Sequence, residues 1–166
     1  MIPIVEIKTA ITEGISASTG LIFKEIGHEA DTAETEYLVF SFSSMMNSRG
    51  FPVVEYGDGI MRQSETVSFT ASIFSYSQDK LPRIINAMKA RDWVDRIGRM
   101  QLKDGFDCVV VNVGPVITRD YKEYENAAWI RREGFDVQFR MVDVTETEVE
   151  MIETVNIKGA DRIVTN

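Results

Sequence analysis

Apolar side chains fall on every second residue at Val67, Phe69, Ala71 and Ile73, and Thr66, Ser68, Thr70 and Ser72 fall between them. That period predicts a half-buried strand. It returns at Phe135, Val137, Phe139 and Met141, with Asp136, Gln138 and Arg140 opposite, within a strand read from Gly134 to Val144. Tyr37 to Phe42 is apolar on both faces, as expected of a strand inside a sheet, and Asp107 to Val113 reads as another. Leu21 to Ile26 is read as a short strand. Helical spacing appears in two places. Ile4, Ile7, Ile11 and Ile15 define a helix over roughly residues 3 to 18, with Gly20 as its stop. The second runs from an N-cap at Asp79 through Pro82 to about residue 102, and Leu81, Ile84, Ile85, Met88, Trp93, Val94 and Ile97 form its apolar stripe. Gly98 reads as a tolerated weakness there, and Asp104-Gly105 as the close.

These elements predict an α+β fold: a mainly antiparallel sheet with helices packed on one face and the other face wet. Phe69, Ile73, Ile85, Val110, Phe135, Val137 and Phe139 are expected between sheet and helix. A length of 166 residues fits a single domain, 1–166, with a sizeable core.

Between these elements lie the irregular parts. Residues 43 to 65 hold turn signals at Ser43–Gly50, Phe51-Pro52 and Gly57-Asp58-Gly59 around a short apolar run, Val53 to Tyr56, which fits a protruding loop or hairpin. Met45, Met46 and Phe51 in it either pack back on the domain or are presented to a neighbour, because methionine adapts to irregular surfaces. Val116 to Asn126 reads as a polar connection with some strand character. After Val144 comes an acidic run with Glu146, Glu148, Glu150 and Glu153, and Val149, Met151, Val155 and Ile157 within it suggest a further strand with no evident hairpin partner.

The net charge of −8 argues against a free DNA-binding protein or a membrane-surface binder, both of which need a basic footprint. The charge is uneven. Between Lys80 and Asp104 seven basic residues stand against three acidic ones, so the second helix is basic and the remainder acidic. Subunits with faces of opposite sign can stack on unlike neighbours or on themselves; a solvated helix face is the plainer reading. The N-terminal stretch lacks the pattern of a signal peptide and no apolar run reaches a membrane span, so a soluble protein is expected.

Candidate chemistry is sparse. His28, the single histidine, has Glu25, Glu29 and Asp31 nearby but no second imidazole, so no metal site is expected. Cys108, the single cysteine, lies in a valine run that suits an inert core thiol better than a nucleophile. Gly57 and Gly59 lack the lysine and following helix of a phosphate loop. Thr118-Arg119-Asp120 and Arg131-Arg132-Glu133 are charged clusters at strand ends, better read as solvated turns with weak ion pairs than as a recognition site. The acidic C-terminal run is either a solubilising edge strand or, in a ring of subunits, a negative channel wall past which DNA slides without sticking. No catalytic, cofactor or metal constellation emerges.

Ser68 to Asp79, Ala90-Arg-Asp-Trp-Val94, Val109 to Asp120 and Glu133-Gly-Phe-Asp-Val-Gln-Phe-Arg140 together resemble the tail-terminator or neck proteins of tailed bacteriophages, especially the phage neck terminator proteins. The resemblance covers residues 66 to 157 best. It implies a structural virion protein rather than an enzyme, without cofactor, assembled in the host cytoplasm and carried in the tail or neck. It also implies a homo-oligomeric ring, commonly a hexamer, that caps the tail tube and connects it to the neck or head connector and, in contractile tails, meets the sheath. DNA would pass without specific binding, and no membrane is involved. Two alternatives stand beside this: another head-tail joint component, such as a head-closure or tail-completion protein, and a small ligand-binding α+β domain. On the ring reading, Met45, Met46, Phe51, Val149, Met151, Val155 and Ile157 are expected at subunit contacts. Glu146, Glu148, Glu150 and Glu153 are expected to face solvent or the channel.

Overall fold

A computed structural model describes residues 1–24 and 36–149. His28, with its acidic neighbours, and the residues Glu150, Met151, Glu153, Val155 and Ile157 lie outside the described residues. The described elements are α1 (Ile4–Thr19), β1 (Phe23–Lys24), β2 (Tyr37–Ser48), β3 (Val53–Gly57), β4 (Ile60–Tyr76), α2 (Lys80–Trp93), a π-helical turn (Val94–Gly98), α3 (Arg99–Phe106), β5 (Val109–Val113), β6 (Ile117–Thr118) and β7 (Glu133–Glu148). The fold is α+β. One sheet runs in the order β1-β2-β4-β7-β5, with β3 added to β4 and β6 to β7. All its pairings are antiparallel except β1 with β2.

The period-2 pattern sets which face is buried. β4 and β7 pair so that Phe69 lies opposite Phe139, Ala71 opposite Val137 and Ile73 opposite Phe135, and all six are buried. The Phe69 and Phe139 rings stack with centroids 4.9 Å apart, and Val110 of β5 pairs beside Phe139. Leu38 and Phe40 extend this face on β2, and Ile7, Ile11 and Ile15 of α1 close over it.

α2 departs from expectation in which side it buries. Ile85 is 41% exposed, and Leu81, Met88 and Ile97 of the predicted stripe are also exposed. The buried side is Arg83, Asn86, Ala87, Ala90 and Trp93, continued by Val94. Small residues explain the choice: Ala87 and Ala90 let the helix axis approach its neighbours closely, where isoleucine or methionine would hold it away. The buried polar residues are anchored. Arg83 Nη1 donates to the carbonyls of Ser77 (2.7 Å) and Gln78 (3.1 Å), and Asn86 Nδ2 donates to Glu36 Oε2 at 2.6 Å. Asp79 precedes the helix without a side-chain capping bond. The helical run also passes Asp104-Gly105 to Phe106 and stops at Asp107, which takes a left-handed conformation.

Gly98 is a close approach rather than a weakness. A Cβ there would sit 2.6 Å from the Trp93 ring, and a Cβ on Gly14 of α1 would overlap the same indole. Two glycines on two helices thus shape the slot that buries Trp93.

The outer face of the sheet is not uniformly wet. Residues 117 to 133 fold back across the end where β4 finishes and β7 begins. β6 pairs Ile117 with Gly134 and Thr118 with Glu133, and a bridge joins Tyr121 to Ile130. The two charged clusters build this strap instead of lying in solvated turns. Arg119 grips Asp136 with two bonds, 2.9 and 2.6 Å, and Ser72 Oγ donates to the same carboxylate at 2.6 Å. Arg131 Nη1 donates to Asp120 at 2.6 Å, and Thr118 Oγ1 donates to the buried Glu133. The Arg132 guanidinium lies between the Phe74 and Tyr121 rings, 4.1 and 4.3 Å from their centroids, so it shields Phe74 from water. Tyr37 and Tyr76 stack beside it, and burial raises the pKa of both phenols.

Two predictions follow from this packing. In an open helix Gly→Ala stabilises by up to about 1 kcal/mol, but Gly14→Ala is expected to lower stability in urea unfolding by about 1–3 kcal/mol, because the methyl overpacks Trp93. A stabilised variant would show that the indole is free to leave its slot. The second concerns acid. Burial alone would raise the pKa of Asp136, but the bonds from Arg119 and Ser72 outweigh it and hold the carboxyl below its ordinary value of 3.8. A group with a depressed folded-state pKa contributes stability above its unfolded pKa, and that contribution disappears as pH falls through the folded value. Asp136→Asn is therefore expected to be less stable than the parent at pH 7, with the gap closing below about pH 4. A gap that stays constant down to pH 3 would contradict the ion pair's role.

Candidate subunit-contact surface

β4 and β7 stay paired well beyond the helix-covered core, out to Ile60 opposite Glu148. Little in the side chains asks for this. Arg62, Gln63, Ser64 and Glu65 run opposite Glu146, Thr145, Val144 and Asp143, and neither face is apolar. The ladder of backbone hydrogen bonds carries the extension. Strand β7 thus exceeds the predicted Gly134 to Val144 at its far end, and the acidic Glu146 and Glu148 lie within the subunit's own sheet.

β2 and β3 take turns along the free edge of β4. β2 follows it until two register shifts, one between Phe42 and Ser44 and one between Ser44 and Asn47, insert extra residues and bend the strand. Met46 lies at the second bulge with φ 50°, an uncommon conformation for a residue with a Cβ. After Arg49, whose N–H donates to Thr66 O at 2.8 Å, the chain breaks off and resumes as β3, with Val53 opposite Ser64. Asp58 and Gly59 then turn it into β4 with φ of 50° and 75°, the double left-handed geometry of a two-residue hairpin. The predicted hairpin over residues 43 to 65 is thereby a three-stranded arm, β3-β4-β7, rooted in the main sheet.

The arm exposes apolar side chains on a scale the core does not require. Phe51 is 98% exposed, and Met45, Met46, Val53, Val54, Tyr56 and Ile60 are exposed with it. Large exposed apolar side chains gathered on one arm, Val53 and Ile60 on one face of it and Val54 and Tyr56 on the other, make it a candidate contact surface. Its charges are acidic. From residue 43 to 65 and 142 to 149, Arg49 and Arg62 stand against Glu55, Asp58, Glu65, Asp143, Glu146 and Glu148. The pair Arg62–Glu146, at 3.8 Å between exposed side chains, is a weak one.

Of the residues expected at subunit contacts, Met45, Met46 and Phe51 share this arm. Val149 lies at its tip, half-buried, where its N–H donates to Gly59 O at 2.8 Å. Val53, Val54, Tyr56 and Ile60 join them. The first three fall in the short apolar run between turns and Ile60 just beyond it; the Asp58-Gly59 turn, which sets Gly57 opposite Ile60, is what brings Ile60 to them. Met151, Val155 and Ile157 lie outside the described residues, as do Glu150 and Glu153. Glu146 and Glu148 are exposed.

Cys108 is buried and free, and burial pushes its thiol pKa up to about 12, so it is no nucleophile at neutral pH. No group of three or more His, Cys, Asp or Glu that could hold a metal occurs among the described residues. No described helix is long and apolar enough to cross a membrane.

The described residues thus form an α+β fold with an apolar, acidic arm standing off its core. The family of phage neck terminator proteins matches residues 9–163 of this sequence, and the chain belongs to it. No curated protein matches the sequence. Membership makes the chain a structural component of the head-tail joint, carried in the tail or neck of the virion, and a partner of other tail and neck proteins. A structural family fits a protein without catalytic function.

Proposed function

We propose that this protein is the tail terminator itself: copies join into a ring, a hexamer in the favoured form, on the last ring of the tail tube. The ring stops tube growth and offers its other side to the neck or head connector, and in a contractile tail to the sheath. The chain acts there as a single domain, assembled in the host cytoplasm. The observation that carries this reading is the arm, whose Met45, Met46, Phe51, Val53 and Tyr56 stand exposed among the described residues. Burying such side chains against another protein contributes roughly 25 cal/mol per Å² of apolar surface removed from water. That is a driving force for assembly that the lone subunit leaves unused.

In this arrangement the acidic residues have a use beyond solubility. Glu146 and Glu148, with Glu150 and Glu153 beyond them, line or flank the channel. Because they neutralise no phosphate, DNA passes without binding.

The test is a Met45→Asp, Met46→Asp double variant. Aspartate tolerates the left-handed backbone at position 46 better than methionine does, and both positions are exposed. Stability is therefore expected to change by no more than about 0.5 kcal/mol. Particle mass by light scattering, with and without purified tail tubes, and tube lengths in negative-stain images are then compared with the parent. The parent is expected to form rings or to cap tubes at uniform length, and the variant to do neither. A parent that stays monomeric and ignores tubes would contradict the proposal, as would a double variant that assembles as well as the parent.

A further inference from the structure

A ring built from one repeated contact closes only if that contact is heterologous, one patch of each subunit meeting a different patch of the next. The arm therefore needs a receiving surface elsewhere on the same chain. The exposed stripe of α2 has the matching chemistry. Leu81, Ile85 and Met88 recur at spacings of four and three residues, so they lie along one line of the helix, and all three are exposed. Ile85 and Met88 line an open concavity of about 400 Å³ together with Lys89, Arg91 and Asp92.

Charge supports the same match. From Lys80 to Phe106 seven basic residues stand against three acidic ones, a net of +4, and the arm's two basic against six acidic residues give −4. Much of the helical charge is already paired, Arg96 with Asp92 and Arg99 with Asp95. Lys80 and Lys89, which flank the stripe, have no ion pair among the described residues. On the arm, Glu55, Asp58 and Glu148 are likewise without one. A second concavity, on the outer sheet face, is lined by Arg49, Thr66, Ser68, Val111, Gln138 and Arg140, so Val111 is the one large apolar side chain it offers to Phe51 or Tyr56.

We infer that the arm of one copy seats on the α2 stripe of the next, with its apolar strand against Leu81, Ile85 and Met88 and its acidic tip beside Lys80 and Lys89. This inference rests on the ring reading and names the surface that completes it. An arm-to-arm or helix-to-helix contact would be isologous and would stop at a dimer.

Two folded but assembly-defective variants test it in combination. One carries Met45→Asp and Met46→Asp. The other carries Ile85→Asp and Met88→Asp on the helix, with Lys89→Glu alone as a milder second helix variant. Each is checked by circular dichroism and thermal unfolding. Alone, the Ile85→Asp, Met88→Asp chain is expected to assemble at least ten-fold more weakly than the parent, and Lys89→Glu to weaken assembly measurably at low salt. Mixed in equal amounts, the arm-defective and helix-defective chains retain one intact contact between them, the arm of one with the helix of the other. The mixture is expected to yield a 1:1 dimer that grows no further.

If the helix variants assemble like the parent while the arm variant fails, the receiving surface lies elsewhere and the ring reading survives. The inference is also overturned if both single variants fail and their mixture yields no dimer. If the parent itself forms no ring, alone or on tail tubes, the ring reading and this inference fall together.

Discussion

The pairing of β4 with β7 is the constraint on which the rest of the subunit depends. It runs through sixteen consecutive residue pairs without a bulge, from Ser75 opposite Glu133 to Ile60 opposite Glu148. Its middle brings Phe69 onto Phe139 and supplies the floor for α1 and α2. One end carries the strap that Arg119 and Arg132 fasten across the outer face, and the other end becomes the arm. β2 and β3 attach along one side of this pair, β5 and β6 along the other. A slip of one residue between the two strands would turn the phenylalanines outward and misplace the arm together with the core. Core and contact surface are therefore specified by the same register.

That coupling suits a protein whose work is contact. An arm on a separate loop would have to be ordered when it binds, and the entropy of ordering would oppose assembly. This arm leaves the core as continuous sheet, so much of that ordering is complete before a partner arrives. The bulges at Ser43 and Met45–Met46 have a local purpose in this setting. They bend β2, which stays paired with β4 as far as Ser48 opposite Val67 before β3 takes over the edge.

How much of this was legible in the sequence follows from what each element relies on. Strands that bury one face announce themselves by period, and the cores of β4 and β7 were readable from Thr66 to Ile73 and from Gly134 to Val144. Their outward extensions were not, because Arg62 to Glu65 and Thr145 to Glu148 hold together through the backbone ladder and show no apolar alternation. α2 presents a different difficulty: it has two sides able to face inward. Hydrophobicity favoured Ile85 and Met88, but close packing selected Ala87, Ala90 and Trp93, and the glycines that admit Trp93 lie as far off as Gly14. The strap was hidden because stacked arginines and a gripped carboxylate leave no periodic trace. For the contact surface, Met45, Met46 and Phe51 stood out as large apolar residues among breakers, whereas Tyr56 and Ile60 became members only once the hairpin's register was known.

Hydrogen exchange of the free subunit and of the same protein bound at the ends of tail tubes tests the central claim most directly: that the arm is preformed sheet held ready for a neighbouring protein. In the free subunit, amides of β3 and of the outer halves of β4 and β7 are expected to exchange more slowly than an open loop but faster than those around Phe69 and Phe139. On assembly, protection is expected to rise at residues 53 to 64 and 142 to 148 and to change little in the core. Arm amides that exchange at the rate of an unfolded chain in the free protein, or that gain no protection in the assembled one, would contradict it.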